Sequence, residues 1–234
     1  MYDKLVLTNN SGVHSKKAGE YGLMSVLMLQ SHIPKIITNQ KNKKFVSLFS
    51  NPIAGKTIVV VGTGSLGSSM IKLVAPLGAN IIGVNRKGGM VEGCSKVVTT
   101  EKIDIVLPEA DILYLALPET PDTKNLINRK RLNLLKPSCG VVNIGRQSAI
   151  DYEALCEKLN NKELAGAILD VFTHEPIETS SKLWNTPNLV ITPHVSSDDH
   201  GSYVKMTLDL FIKNLKLFIS NKELLNQIDK DLGY

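Results

Sequence analysis

The segment Gly62-Thr63-Gly64-Ser65-Leu66-Gly67 fits the pattern G-x-G-x-x-G. Alone that pattern is weak, because small-residue turns are common. Here a β-branched run, residues 57–61 (TIVVV), precedes it, and residues 65–77 follow with helical spacing that ends near Pro76 and Gly78. Between a strand and a helix such a loop suits one chemistry. The first glycine permits a tight turn, the second lets the backbone approach a pyrophosphate, and the third packs helix on strand. The helix start offers unpaired N–H groups and a partial positive charge to the phosphates. Gly62, Thr63, Gly64, Ser65, Leu66 and Gly67 therefore form a candidate dinucleotide loop.

About 20 residues further on, the end of the next strand normally carries an acid that bonds the ribose 2′-hydroxyl of NAD. Asn85, Arg86 and Lys87 stand there instead. Without a carboxylate, a 2′-phosphate meets no negative charge, and Arg86 has the planar fork that grips a phosphate through two parallel bonds. The missing acid and the arginine favour NADP(H) over NAD(H). The alternative is that Arg86 and Lys87 are a polar loop before Gly88-Gly89. Three further segments end apolar runs with polar groups. Arg146 follows Val142-Asn143-Ile144-Gly145, acids occur in Leu169-Asp170-Val171-Phe172-Thr173-His174-Glu175-Pro176, and His194 follows Ile191-Thr192-Pro193. In an open α/β sheet the ligand crevice lies beyond the carboxyl ends of the strands, so these groups can all face a cofactor.

The elements that must position them alternate between strand and helix. Besides 57–61, strands are expected at 80–84, 111–117 (closed by Pro118), 140–144, 166–169 and 189–192, with helices at 65–77, 128–135 and 151–159. Nearly continuous apolar strands imply burial on both faces, as in a doubly wound parallel sheet of Rossmann type. Residues 15–32 read as a long helix before Pro34, and 203–219 as an amphipathic one. The expected architecture is α/β, one dinucleotide-binding domain with flanking helices.

The glycine loop, Asn143-Ile144-Gly145-Arg146, the Asp170–Pro176 stretch and Thr192-Pro193-His194 occur in the order seen in one family. The chain resembles the D-isomer-specific 2-hydroxyacid dehydrogenases from about Thr8 to Tyr234, with a glyoxylate/hydroxypyruvate reductase flavour. Ala18-Gly19-Glu20-Tyr21-Gly22-Leu23 is similar to the family's helix start, and the tail is similar to a family C-terminus ending in Gly-Tyr. The resemblance implies catalytic roles for three residues. His194 gives a proton to the carbonyl oxygen as hydride arrives from the nicotinamide. Glu175 accepts a bond from the other ring nitrogen and, as a nearby anion, favours the protonated ring. Arg146 holds the 2-oxo acid's carboxylate. It also implies that Leu117, Pro118, Ile144, Gly145 and His194 border the cofactor and that Asp170 contacts its nicotinamide side.

One departure matters. The match begins only just before the first long helix, so most of the family's substrate-binding lobe is expected to be missing, from a fragment or a naturally short protein. Residues 1–14 read as a remnant of that lobe. Residues 15–197 read as the dinucleotide-binding domain with its dimerisation helix and arm, and 198–234 as a C-terminal helix and tail. In the family the helix and arm, here from Ser15 to about Phe49, form a dimer interface. Because residues 20–29 are apolar on most faces, an exposed patch and a two-fold homodimer are expected.

Bulk properties narrow the remaining possibilities. A 43% hydrophobic content supports a sizeable core, and a formal charge of +5 is dispersed, the densest group being Lys41, Lys43 and Lys44. No recognition motif accompanies it, so nucleic-acid binding is not expected. No apolar run approaches the roughly 18 residues that cross a bilayer, and the start lacks a signal-peptide layout. Three scattered cysteines argue for a reducing cytoplasm. His14, His32 and His200 lack metal-ligand spacing, and no metal is expected. Two functions follow: an NADP(H)-dependent reductase of small 2-oxo acids, or a non-catalytic dinucleotide-binding module.

Overall fold

The computed structural model describes residues 5–199 and 201–229. In chain order the main elements are α1 (Ser15–Gln30), α2 (Ile33–Lys41), β1 (Thr57–Val61), α3 (Ser65–Val74), β2 (Asn80–Asn85), β3 (Lys96–Thr99), α4 (Ile103–Val106), β4 (Ile112–Leu115), α5 (Arg129–Leu132), β5 (Gly140–Asn143), α6 (Tyr152–Asn160), β6 (Gly166–Leu169), β7 (Leu189–Ile191) and α7 (Tyr203–Ile219). The strands form one seven-stranded sheet in the order β3-β2-β1-β4-β5-β6-β7. Every pairing is parallel.

Successive side chains along a strand point to opposite faces, and both faces are buried. Val59 and Val61 of β1 join Ile82, Val84, Leu113 and Leu115 in a core with Ile103 of α4, Leu132 of α5 and Leu155 of α6. Ile58 and Val60 join Ile81, Ile112, Tyr114 and Val142 on the other face, beneath Val26 and Leu29 of α1 and Met70 and Ile71 of α3. At roughly 1.5–3 kcal/mol for each fully buried aliphatic side chain, these two layers supply most of what fixes the sheet. Double burial is also why the strands read as unbroken apolar runs. The expected doubly wound Rossmann architecture is the observed one.

The differences from the sequence reading are local. The first helix stops at Gln30 rather than residue 32, because His32 adopts φ 58 and Pro34 opens the separate helix α2. Pro34 fits the first turn of a helix, where its missing N–H costs nothing. Strand β3 was not expected: it is four residues long, lies at the sheet edge and carries little apolar signal. Strand β4 ends at Leu115, leaving Leu117 and Pro118 in the loop, and the helix expected over 128–135 is a single turn capped by the Asn128 side chain.

The apolar patch expected on α1 is mostly covered by the chain itself. Tyr21, Val26 and Leu29 are buried, and among the apolar residues of the helix Met24 and Leu27 stay exposed. Two glycines allow the close approach. A Cβ on Gly19 would lie 3.0 Å from the Ser69 carbonyl oxygen, and one on Gly22 2.6 Å from both Met70 Cγ and the Tyr114 hydroxyl. In the arm that follows, Phe45 and Phe49 are 103% and 90% exposed. Near the start of the described chain Thr8 bridges Gln227, and the Leu7 carbonyl accepts from the Ile228 amide at 2.9 Å. Residues 230–234, including the Gly-Tyr ending, and His200 lie outside the described residues. Among the described residues no helix is long and apolar enough to cross a membrane.

Candidate active site

The strand order reverses between β1 and β4, which leaves a crevice at the carboxyl ends of these two strands. The glycine loop sits there, and its three glycines have three different reasons. Gly62 has φ +94, and a Cβ on it would fall 2.5 Å from the Ala116 carbonyl oxygen. At Gly67 a Cβ would fall 2.0 Å from the Gly62 carbonyl oxygen, so strand and helix meet here backbone to backbone. Gly64 is the opposite case: a Cβ on it would meet no atom within 4 Å. It caps α3 without a side-chain bond, so the first N–H groups of α3 gain no side-chain acceptor from it. Open space beside the helix start is the cradle a pyrophosphate needs, and these residues fit a dinucleotide.

The rest of the loop is held from below and from β2. Ser68 Oγ donates to the Thr63 carbonyl at 2.7 Å, and Asn85 Nδ2 donates to Thr63 Oγ1 at 3.0 Å and to the Gly89 carbonyl at 3.1 Å. Asn85 Oδ1 accepts from the Gly88 amide at 2.7 Å. Both ends of the Asn85 amide therefore shape the turn that presents Arg86 and Lys87, which are exposed. Ser65 Oγ accepts from Ser11, and Leu66 packs against the second core cluster.

Next along the sheet edge come the loops after β4 and β5. Pro118 is exposed and Leu117 half-buried. A Cβ on Gly145 would lie 2.5 Å from the Leu117 nitrogen, so packing of these two loops explains that glycine without a ligand. Ile144 is 3% exposed and belongs to the core. Its side chain points into the protein, behind the sheet end where the cofactor is expected.

Arg146, Glu175 and His194 follow the neighbouring strands β5, β6 and β7, and the fold brings them together. His194 Nδ1 bonds Glu175 Oε2 at 2.7 Å, and Glu175 Oε1 accepts the Phe172 N–H at 2.7 Å. Burial alone pushes the Glu175 carboxyl up. The bonds from His194 and Phe172 and the positive charges of His194 and Arg146 outweigh it and hold the group below the usual carboxylate range. An ionised Glu175 can only accept, so the bonded Nδ1 carries the hydrogen and Nε2 takes no part in that bond.

Buried polar groups behind these three were missed as functional residues from sequence. Asn143 Oδ1 accepts from the Gly145 amide at 3.0 Å, and its Nδ2 donates to the Arg146 carbonyl and the Tyr152 hydroxyl, both at 3.1 Å. The Tyr152 hydroxyl donates to the Val171 carbonyl at 2.8 Å, tying the Arg146 loop to the Glu175 loop. A polar residue inside the apolar run Val141-Val142-Asn143-Ile144 was the available signal. Asp170, expected on the nicotinamide side, is 0% exposed. Its carboxylate accepts from Thr192 Oγ1 at 2.6 Å and from the Val195 and Ser196 amides at 3.0 and 2.9 Å. Its oxygens thus hold the loop carrying His194.

Two further features adjoin this constellation. A cavity of about 840 Å³ lies between α6 and the 172–186 segment, lined by Tyr152, Cys156, Phe172 and His174 among others, away from the glycine loop. His14 Nδ1 donates to the Ser197 carbonyl at 2.9 Å.

Comparison with known proteins agrees with this geometry. Residues 23–196 match the family model described as D-isomer specific 2-hydroxyacid dehydrogenase, NAD binding domain. A glyoxylate reductase of Thermococcus onnurineus is 34% identical over 74% of this chain and 54% of its own length. A D-isomer specific 2-hydroxyacid dehydrogenase of Xanthobacter autotrophicus, solved with NADPH and MES, superposes with a TM-score of 0.90 at 27% identity, covering 99% of this chain and 95% of that one. An NADPH-dependent glyoxylate/hydroxypyruvate reductase of Sinorhizobium meliloti, solved with NADP and sulfate, gives 0.87 at 26% identity, covering 99% and 74%. The chain spans about half the length of the curated relatives it matches. With its glycine loop, its switch-point crevice and its Arg–Glu–His edge, the chain belongs to the D-isomer specific 2-hydroxyacid dehydrogenase family, through that family's NAD-binding domain.

Proposed function

We propose that the chain binds NADP(H) and takes part in reducing a small 2-oxo acid of the glyoxylate or hydroxypyruvate kind. The observation that carries this reading is the 2.7 Å bond between His194 and Glu175 beside the charge of Arg146, on the sheet edge that also carries the glycine loop. A bound dihydronicotinamide supplies hydride to the carbonyl carbon. Glu175 keeps a hydrogen on Nδ1 of His194, so the protonated ring has its Nε2 hydrogen to give to the carbonyl oxygen. Arg146 offers its fork to the substrate carboxylate and its charge to the oxygen that turns negative. The products balance as a 2-hydroxy acid and the oxidised dinucleotide.

The preference for NADP(H) rests on Asn85. Its amide is engaged on Thr63, Gly88 and Gly89 and puts no carboxylate against a 2′-phosphate. The solved relatives with NADPH or NADP support the same choice. In this reading residues 15–197 form the dinucleotide-binding domain, 198–234 its C-terminal helix and tail, and 1–14 belong to the substrate side. A two-fold homodimer is included, supported by the exposed Phe45 and Phe49. So is a cytoplasmic setting, where the three cysteines, free in this fold, stay reduced.

The exposure of the His194 and Glu175 side chains, 46% and 35%, favours a second reading: a dinucleotide-binding module whose open crevice turns substrate over poorly. One experiment separates them. Titration should give tighter binding of NADPH than NADH, and NADPH absorbance should fall with glyoxylate or hydroxypyruvate. Binding without oxidation selects the module; tighter NADH binding overturns the cofactor assignment.

A further inference from the structure

We propose that Tyr21 is a positioning residue for His194, acting through Thr192 and Asp170. The inference rests on His194 being the proton donor of the function proposed above. His194 has φ +54, in the left-handed region that non-glycine residues adopt in only a few per cent of cases, histidine more often than most. Its backbone must be held there from both sides. One buried carboxylate does so: Asp170 accepts from Thr192, two residues before the histidine, and from the Val195 and Ser196 amides just after it.

The direction of each hydrogen follows from counting. Thr192 has a single hydroxyl hydrogen, and the 2.6 Å bond to the acceptor-only Asp170 uses it. The Tyr21 hydroxyl lies 2.6 Å from the same Thr192 oxygen and must therefore donate to it. Tyr21 thus fixes the rotor that points the threonine hydrogen at Asp170. Tyr21, Asp170 and Ser196 are buried, at 6%, 0% and 1% exposure, and Thr192 between them is half-buried, so solvent has limited access to replace a lost bond.

The placement of Tyr21 gives the link its purpose. It stands on α1, which Gly19 and Gly22 let settle directly on α3 and the sheet. α3 is the helix whose start forms the dinucleotide cradle. A single helix thereby references the proton donor to the cofactor, across 171 residues of sequence. Errors of about 1 Å in such alignment can cost on the order of 100-fold in rate.

The test uses the full chain and the variants Tyr21→Phe, Thr192→Val and Thr192→Ser. Tyr21→Phe and Thr192→Val should lower kcat with NADPH and glyoxylate by roughly 10- to 100-fold, with NADPH affinity and substrate KM close to wild type. Thr192→Ser keeps the hydroxyl and should restore kcat. Independently of turnover, the proton resonance of His194 Nδ1–H, assigned by its loss in His194→Gln, should move or broaden in Tyr21→Phe and Thr192→Val and keep its wild-type position in Thr192→Ser. An unchanged resonance and kcat in Tyr21→Phe overturns the proposal. So does a rate loss matched by equal loss of NADPH affinity, which marks general loosening. If the wild-type chain reduces no 2-oxo acid, the functional reading fails by itself and the resonance still decides the positioning role.

Discussion

Two glycines of the same loop should respond to alanine in opposite ways. At Gly67 the new Cβ falls 2.0 Å from the Gly62 carbonyl oxygen, a backbone atom that cannot rotate aside. Relief requires moving α3 off β1, an overpacking cost near the upper end of the usual range, about 3 kcal/mol. For a chain of this size that lowers Tm by roughly 6–12 °C. At Gly64 the Cβ meets nothing within 4 Å and φ is −70°, so the fold tolerates it. The expected cost is the change of helix cap, about 1 kcal/mol. The methyl group does, however, stand in the space assigned to the pyrophosphate. NADPH affinity should therefore fall at least about tenfold, or ~1.4 kcal/mol. Thermal unfolding and fluorescence titration with NADPH read the two effects separately. Wild-type NADPH affinity in Gly64→Ala would refute the cradle, and wild-type Tm in Gly67→Ala would refute the contact.

Three further outcomes follow from named contacts. Asn85→Asp places a carboxylate where a 2′-phosphate is expected and removes the donor to Thr63, so NADPH affinity should drop about tenfold or more relative to NADH; competitive titration of the two cofactors measures it. Asp111 loses ground to burial, but its bonds from Lys136 Nζ (2.8 Å) and the Thr57 amide (2.9 Å) hold its carboxyl below the ordinary range. Because the folded value is depressed, this stabilisation is present above the unfolded pKa near ~3.9 and is lost as pH falls through the folded value. Asp111→Asn should cost about 1–2 kcal/mol at neutral pH and flatten the acid limb of a denaturation-versus-pH curve. The Tyr114 hydroxyl is fully buried and finds no partner among the described residues. Tyr114→Phe should leave Tm unchanged or raise it, and a clear fall would reveal a partner for that oxygen.

What was legible in the sequence was whatever local chemistry dictates. The TIVVV run, the glycine loop and the apolar strands β5 and β6 depend on near neighbours, and they stand where expected. The segments ending in Arg146, Glu175 and His194 were legible because each follows such a strand. Strand β3 was not, since its four residues gain strand character mainly from pairing with β2. Helix α2 was hidden because a proline opens it, and proline was read as a stop. The burial of Asp170 and Ile144 was hidden for a different reason. Sequence order places a residue at a strand end but does not say whether its side chain turns to the crevice or to the core, and both turn inward. Tyr21 and Thr192 meet across the whole domain, a contact that only the folded chain discloses.

On this reading the Glu175-oriented imidazole of His194 delivers the proton, while the glycine loop and the turn at Asn85, Arg86 and Lys87 hold the dinucleotide. This assignment is tested most directly by His194→Ala, with NADPH affinity and the rate of NADPH oxidation by glyoxylate and hydroxypyruvate measured on the same sample. Affinity should stay unchanged while the rate falls by about 100-fold or more. Oxidation that continues at the wild-type rate in the variant contradicts it.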